Sequence, residues 1–211
     1  MSKEGDGSDG IDRIFDTDQA SLAATYDEWA TSYDRDHDGW GWRGPEVVSE
    51  ATLRLSAGSP PDAQIYDAGC GTGTAGIALR SAGWLGGISG LDFSKGMLDV
   101  AVESGAYQEL IKCSLLDIPL QANAAHAVVS SGVFTHGHVG GEAFAELARI
   151  TRPGGTVSVT QRVDIEAELA GHAQHLVERS VWTLLERTDP ASFHPERNDH
   201  VLQTVTTWRV V

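Results

Sequence analysis

The sequence predicts an α/β protein in which helices cover both faces of a mostly parallel, doubly wound sheet. Strand and helix signals alternate from about residue 64 to residue 162, a pattern typical of parallel strands connected by crossover helices. The strand segments are short apolar runs with no consistently polar face, which indicates that they are buried on both sides. No internal repeat interrupts this alternation.

The elements are predicted in chain order from these signals. The N-terminal part contains an amphipathic helix over 19–33, a loop over 34–44 and a helix over 45–56 that begins at a proline, which suits a first helical turn. Strands are predicted near 64–68, 86–91, 110–114, 126–131 and 155–162, and helices over 74–82, 94–104, 140–151 and 165–180. Two closing strands, 181–187 and 201–210, are expected to form an antiparallel end of the sheet.

Composition favours a single domain with a substantial core. The chain has 211 residues, of which 41% are hydrophobic, and its net charge is −15. Residues 1–18 are rich in Gly, Asp and Ser and are predicted to form a flexible tail, followed by a helical lid over 19–57 and a ligand-binding domain over 58–211. The lid and the ligand-binding domain are expected to form one structural unit.

The charge and hydropathy of the chain also narrow its partners and location. An acidic surface repels phosphate backbones, so nucleic acid is not expected as a partner. No secretory signal and no apolar run long enough to span a membrane are recognised, and the expected location is the cytoplasm. No metal site is expected. A small molecule is the predicted partner, and the protein is expected to be a monomer or a homodimer.

The most informative motif follows the first predicted strand. Residues 67–73 read Asp-Ala-Gly-Cys-Gly-Thr-Gly, and glycines at this spacing allow a sharp turn and the close approach of a ligand to the backbone. The helix that begins at Thr74 offers unpaired N–H groups at its N-terminus. A dinucleotide-binding loop would carry glycine where Thr74 stands. A plain glycine turn between strand and helix is the alternative interpretation.

A second acid stands at the end of the second predicted strand. Asp92 follows Gly71 by about 20 residues, which is where a doubly wound fold places a carboxylate that binds ribose hydroxyls. Phe93 comes next and is a candidate for contact with an adenine ring, and Met97 lies one turn into the following helix. Asp92 is alternatively a helix N-cap, although Ser94 is better placed for that role.

These motifs resemble those of the class I S-adenosylmethionine (SAM) methyltransferases, and within that class the Williams–Beuren-region methyltransferase-like proteins. Residues 26–34 read Tyr-Asp-Glu-Trp-Ala-Thr-Ser-Tyr-Asp, which is similar to the Tyr-Asp-x-Trp-Ala-x-x-Tyr-Asp signature of these proteins. Residues 105–110 and the region of Gly132 are also similar. The resemblance extends from Tyr26 to about Arg162. It implies a Rossmann-like, seven-stranded sheet of order 3-2-1-4-5-7-6 in which the seventh strand is antiparallel.

The resemblance also implies how the cofactor SAM would be held. Tyr26 and Tyr33 would approach its amino-acid portion, Asp67 and Gly69 would hold its ammonium side, and Asp92 would bind its ribose. Ser114 stands where many relatives have an adenine-reading Asp, so Ser114, backbone groups or Asp117 would read the adenine. The predicted cofactor-binding residues are Tyr26, Tyr33, Asp67, Gly69, Cys70, Gly71, Asp92, Phe93, Met97, Ser114, Leu115 and Ser131.

The predicted activity is transfer of the methyl group of SAM to an O, N or S nucleophile of a small molecule. His136 is the predicted general base, because it follows the fourth strand at the ligand-binding edge and an imidazole titrates near neutral pH. His138 is a weaker candidate for the same role. Both are alternatively polar loop residues at the pocket, or a His-x-His metal pair without a recognisable third ligand.

Three other functions remain open from sequence alone. The chain could bind SAM without catalysis, since methyl transfer requires no particular catalytic residue, or could use SAM for other chemistry. An NAD-dependent oxidoreductase is disfavoured by Thr74 and by the absence of a Tyr-x-x-x-Lys pair.

Overall fold

The computed structural model describes residues 19–38, 41–60, 62–196 and 201–211. The predicted flexible tail, 1–18, lies outside the described residues. Within them the helices are α1 (Gln19–Asp38), α2 (Gly44–Leu55), α3 (Thr74–Ser81), α4 (Lys95–Glu103), α5 (Phe144–Ile150) and α6 (Glu166–Glu178). The strands are β1 (Gln64–Ala68), β2 (Gly87–Asp92), β3 (Glu109–Lys112), β4 (Ala125–Phe134), β5 (Thr151–Arg162), β6 (Trp182–Arg187) and β7 (Gln203–Val210).

The described strands form one seven-stranded sheet of order β3-β2-β1-β4-β5-β7-β6. Strands β1 to β5 run parallel to one another, whereas β7 runs antiparallel to both β5 and β6. The strand order therefore reverses between β1 and β4, and in open α/β sheets ligands bind beyond the carboxyl ends of the strands at such a point. The predicted fold class and strand order are confirmed.

Two apolar clusters lie on opposite faces of the sheet, because successive side chains of a strand point to opposite sides. One cluster contains Tyr66 of β1 and packs against α5, α6 and the antiparallel strands. In those strands the rings of Trp182 and Trp208 stack with their centroids 4.6 Å apart. The other contains Ile65 of β1 and packs against α2 and α3. Both faces of the central strands are therefore buried, as their apolar sequence predicts.

Three boundaries differ most clearly from the predicted ones. Helix α1 continues to Asp38, so residues 34–38 of the predicted loop 34–44 are helical. Strand β4 continues to Phe134, which pairs with Gln161 after an irregularity that includes Gly132 at φ +73°. Strand β5 begins at Thr151, and the predicted turn at 152–155 is an interruption of its pairing with β4.

The two N-terminal helices occupy different positions. Helix α2 is part of the core, since the side chain of Val48 is fully buried against the sheet. Helix α1 instead packs against α4 beside the carboxyl edge of the sheet. In the described part of the chain, no helix has both the length and the apolar character needed to cross a membrane.

Candidate functional site

The glycine loop between β1 and α3 turns beneath the end of β2. The backbone N–H groups of Gly69 and Cys70 both donate to the carbonyl of Leu91, at 2.7 and 3.0 Å. Gly69 has φ +73°, and a Cβ atom there would lie 2.2 Å from Val133 Cγ2. Gly71 has φ +52°, but a Cβ there would meet no atom within 4 Å. Gly69 is thus required by protein packing, and Gly71 leaves open space for a ligand.

Asp92 ties this loop to the start of α4. One carboxylate oxygen accepts from Gly71 N at 2.9 Å and the other from Ser94 N at 2.8 Å. Ser94 is the N-cap of α4, where its hydroxyl accepts from Met97 N. The pKa of Asp92 is raised by burial, and the backbone N–H bonds oppose that shift. Each carboxylate oxygen has a second lone pair that can accept from a ligand hydroxyl.

Asp67 lies behind the loop. Its side chain is fully buried and accepts at 2.7 Å from the hydroxyl of Tyr107, which in turn accepts from Gly76 N at the start of α3. The other carboxylate oxygen of Asp67 is buried without a hydrogen-bond partner. Burial raises the pKa of Asp67 to about 7, partly opposed by the Tyr107 hydrogen bond.

The residues of the 26–34 signature divide between two neighbouring faces of α1. Tyr26 and Tyr33, two helical turns apart, contribute to the wall of a cavity. Asp27 accepts from Ser94 Oγ and from Gly96 N, at 2.5 and 2.7 Å, and these bonds lower its pKa. Asp34 accepts from the hydroxyl of Thr72 in the glycine loop. The two aspartates therefore attach α1 to both loops of the site.

This cavity, named here the cofactor cavity, lies at the carboxyl edge of β1, β2 and β4. Predicted site residues that line it are Tyr26, Tyr33, Gly69, Gly71, Asp92, Phe93, Met97, Ser114, Leu115 and Ser131. Asp67 and Cys70 do not line it, because Asp67 turns to Tyr107 and the Cys70 sulfur packs against β2 near Gly90. Lining residues that sequence reasoning did not select for the cofactor are Leu22, Gly132, Val133, His138 and Val139.

The two histidines after β4 have different surroundings. His138 is on the wall of the cofactor cavity, where its ring contacts that of Tyr26. His136 is not on that wall. It lines a second cavity of about 300 Å³, formed by the loop after β4 and by the start of α6. His138 and Val139 line both cavities.

Comparisons with known proteins agree with this fold. Residues 66–159 match the family described as a methyltransferase domain. The chain is 36% identical over 149 residues to methyltransferase-like protein 27 of Homo sapiens, covering 70% of this chain and 60% of that protein. It is 30% identical over 144 residues to a demethylmenaquinone methyltransferase of Renibacterium salmoninarum, covering 66% of this chain and 58% of that protein. The chain thus spans about 60% of the length of these two curated relatives.

A solved structure shows the same fold at low identity. The geranyl diphosphate C-methyltransferase of Streptomyces coelicolor, in complex with S-adenosyl-L-homocysteine (SAH), superposes with a TM-score of 0.58 at 13% identity. The superposition covers 78% of this chain and 76% of that one. The matched region, the sheet order and the glycine loop have the class I SAM-dependent methyltransferase fold, and the resemblance predicted from sequence is confirmed. Of the two curated relatives named here, methyltransferase-like protein 27 has the higher identity to this chain.

The cofactor of this class is SAM, and the residues present fit it. Gly71 leaves open the space that a Cβ would fill. Asp92 accepts two backbone hydrogen bonds and retains further lone pairs that can accept from a ligand in the cavity. The apolar wall formed by Phe93, Met97 and Leu115 suits an adenine ring. We therefore assign the cofactor to this cavity as a proposal, with Asp92 as its ribose ligand.

The buried carboxylate of Asp67 should make stability depend on pH. Its pKa rises from an ordinary 3.8 to about 7 on folding, so the folded state holds a proton that the unfolded state releases. The contribution of that proton to the free energy of unfolding is fully present below pH 4 and is lost as the pH rises through 7. We expect Asp67→Asn to gain stability relative to the wild type between pH 4.5 and 8, by roughly 2–4 kcal/mol. Urea unfolding across this range measures the difference, and a difference independent of pH would contradict the assignment.

Replacement of Asp92 should weaken cofactor binding. Asp92→Asn keeps the size of the side chain but removes the charge that strengthens its hydrogen bonds to ligand hydroxyls, and it leaves one acceptor oxygen for the two backbone N–H groups. We expect SAH affinity, measured by calorimetry, to fall by about 1–3 kcal/mol. Asp99→Asn, on an exposed acid that pairs with Lys95 on α4, removes the same charge and should leave affinity unchanged. Equal effects of the two variants would place the ribose elsewhere.

Proposed function

We propose that the protein transfers the methyl group of SAM to an O, N or S nucleophile of a small-molecule acceptor. The observation that carries this proposal is the pair of adjoining cavities at the carboxyl edge of the sheet. The cofactor cavity contains the glycine loop and Asp92, and the second cavity shares His138 and Val139 with it. A volume of about 300 Å³ is at the lower end of the range for small-molecule sites.

The second cavity offers a suitable site for the acceptor. Its floor includes the apolar side chains of Ile165 and Leu169, and its rim carries Glu142, Glu168 and His172. The named relatives act on a menaquinone precursor and on geranyl diphosphate, which are small molecules. SAM supplies an electrophilic methyl group when it is bound. The protein then has to hold the acceptor in line with that group and exclude water.

His136 remains the proposed general base, now assigned to the second cavity. Its Nε2 atom lies 3.4 Å from a carboxylate oxygen of Asp164, a contact that would orient the ring. The same carboxylate is bound more closely by Arg162, and the pKa of Asp164 is lowered to about 2, first by Arg162 and further by His136. Asp164 therefore stays ionised and can stabilise the imidazolium that forms when His136 accepts a proton.

Turnover with a panel of small O, N and S nucleophiles tests the proposed function. Methyl transfer requires that SAH and a methylated acceptor form in equal amounts, as measured by mass spectrometry. We expect His136→Ala to reduce this turnover by about 10²–10⁴-fold while SAM affinity stays within about twofold. His175→Ala, on the exposed side of α6 outside both cavities, is the matched control.

The other outcomes of this experiment separate the alternatives. SAM binding without SAH formation from any acceptor would indicate a catalytically silent binding protein. Conversion of an acceptor without SAH formation would indicate other SAM-dependent chemistry. A small effect of His136→Ala on an active enzyme would mean that the protein works by positioning alone.

We further propose that α1 is the lid of the cofactor cavity. The cavity has a volume of about 90 Å³ beneath α1, well below the 300–1,000 Å³ typical of ligand sites, so α1 must move outward for a cofactor to enter. Helix α2 belonged to the predicted lid but is part of the core. The proposed lid is therefore restricted to α1.

Hydrogen exchange can test the lid. Exchange of the α1 amides should be fast in the absence of ligand and slow when SAH is added, because a bound cofactor closes the cavity beneath the helix. The amides of α2 should exchange equally slowly in both conditions and serve as an internal control. Equal protection of α1 with and without SAH would show that α1 is static.

A further inference from the structure

His138 has a defined tautomer. Its Nδ1 atom lies 3.0 Å from the backbone carbonyl of His136, and because a carbonyl can only accept, Nδ1 carries the hydrogen. In a neutral imidazole the other nitrogen, Nε2, is then an acceptor. Partial burial lowers the pKa of His138, although the bond to His136 opposes this shift, so the neutral form prevails at neutral pH.

The partner of Nε2 is the hydroxyl of Tyr26, across 112 residues of sequence. Because Nε2 accepts, the Tyr26 hydroxyl has to donate its only hydrogen to His138. The Tyr26 oxygen then has only lone pairs to offer to a ligand in the cofactor cavity. The direction of this one hydrogen bond therefore determines that Tyr26 presents an acceptor, and no donor, to a ligand.

The surroundings of Tyr26 favour a cationic donor. Burial raises its pKa, and the neighbouring Asp92 raises it further, so the hydroxyl stays protonated. The Asp92 carboxylate lies on the wall of the same cavity and makes the field around the hydroxyl negative. The Tyr26 ring makes an edge contact with Phe93, at 5.8 Å between ring centroids, and a second contact with Tyr33, at 6.2 Å. These contacts fix the ring. An oriented acceptor in a negative field suits an ammonium group and disfavours a carboxylate.

We propose that His138 is a positioning residue that orients the Tyr26 hydroxyl to accept a hydrogen bond from the ammonium group of the bound cofactor. This inference rests on the cofactor assignment within the proposed function. It adds a role for His138: its ring lies on the cavity wall, but both of its nitrogens are hydrogen-bonded within the protein, so it acts through Tyr26.

Two ligands and three variants test this proposal by calorimetry, without a methyl acceptor. SAH carries the amino-acid end, whereas 5′-methylthioadenosine keeps the adenosine and the sulfur but lacks that end. Tyr26→Phe removes one oxygen and keeps the ring. His138→Asn retains an amide group near the position of Nδ1, and His138→Gln places an acceptor near the position of Nε2.

We expect Tyr26→Phe to lower SAH affinity by about 10-fold, as for a lost hydrogen bond to a charged group. His138→Asn should lower it by about 3- to 10-fold, and His138→Gln should restore it to within about threefold of the wild type. Affinity for 5′-methylthioadenosine should change by less than about twofold in all three. Melting temperatures without ligand verify that each variant is folded.

Three results would overturn the proposal. Unchanged SAH affinity in Tyr26→Phe would mean that the hydroxyl does not meet the cofactor. Equal losses of affinity for both ligands would mean that His138 contributes only packing. Equal losses of SAH affinity in His138→Asn and His138→Gln would mean the same. Because no methyl acceptor takes part, these results stand whether or not the protein proves to transfer a methyl group.

Discussion

The site depends on the way in which one buried carboxylate holds two loops together. Asp92 accepts a backbone hydrogen bond from the loop after β1 and another from the start of α4. Burial of a charge is costly unless it is hydrogen-bonded, and these two N–H groups offset that cost while fixing the separation of the loops. The cavity lies between the same loops, so its shape follows from this interaction. Loss of the carboxylate would affect both the ligand contact and the frame that presents it.

Helix α1 is attached to the same frame. Asp27 binds the start of α4 and Asp34 binds the glycine loop, and the tyrosines that precede them lie on the cavity wall. Gly96 permits the close contact, since a Cβ there would lie 2.8 Å from Asp27 Cα. A side chain at position 96 would push α1 away from α4. The lid that we propose would therefore move by breaking hydrogen bonds to the loops that hold the cofactor, which links its opening to the geometry of the site.

The glycines and the acid at strand ends predicted where the cavity lies, because they are local signals with few structural solutions. The strand order and wall residues such as Tyr26 and Tyr33 were implied by the resemblance to a known family. It could not predict long-range partners. Asp67 was assigned to the cofactor by its place in the motif, but Tyr107, 40 residues later, holds it behind the loop. The positions of His136 and His138 also could not be separated by sequence, since they are two residues apart in one loop, and only the folded loop shows that His138 lies on the wall of the cofactor cavity.

The hydrogen bond between Asp67 and Tyr107 also accounts for a glycine that no ligand contact requires, Gly76. The Tyr107 hydroxyl that binds Asp67 accepts from Gly76 N, and a Cβ at position 76 would lie 2.5 Å from that hydroxyl oxygen. The glycine loop is therefore held at its front by Asp92 and from behind by Asp67 through Tyr107. A neutral residue at position 67 would remove the cost of a buried carboxylate at neutral pH, but it would weaken the bond that places Tyr107 against α3. The rigidity of the loop is thus obtained at the expense of stability, as expected where a binding site constrains the backbone around it.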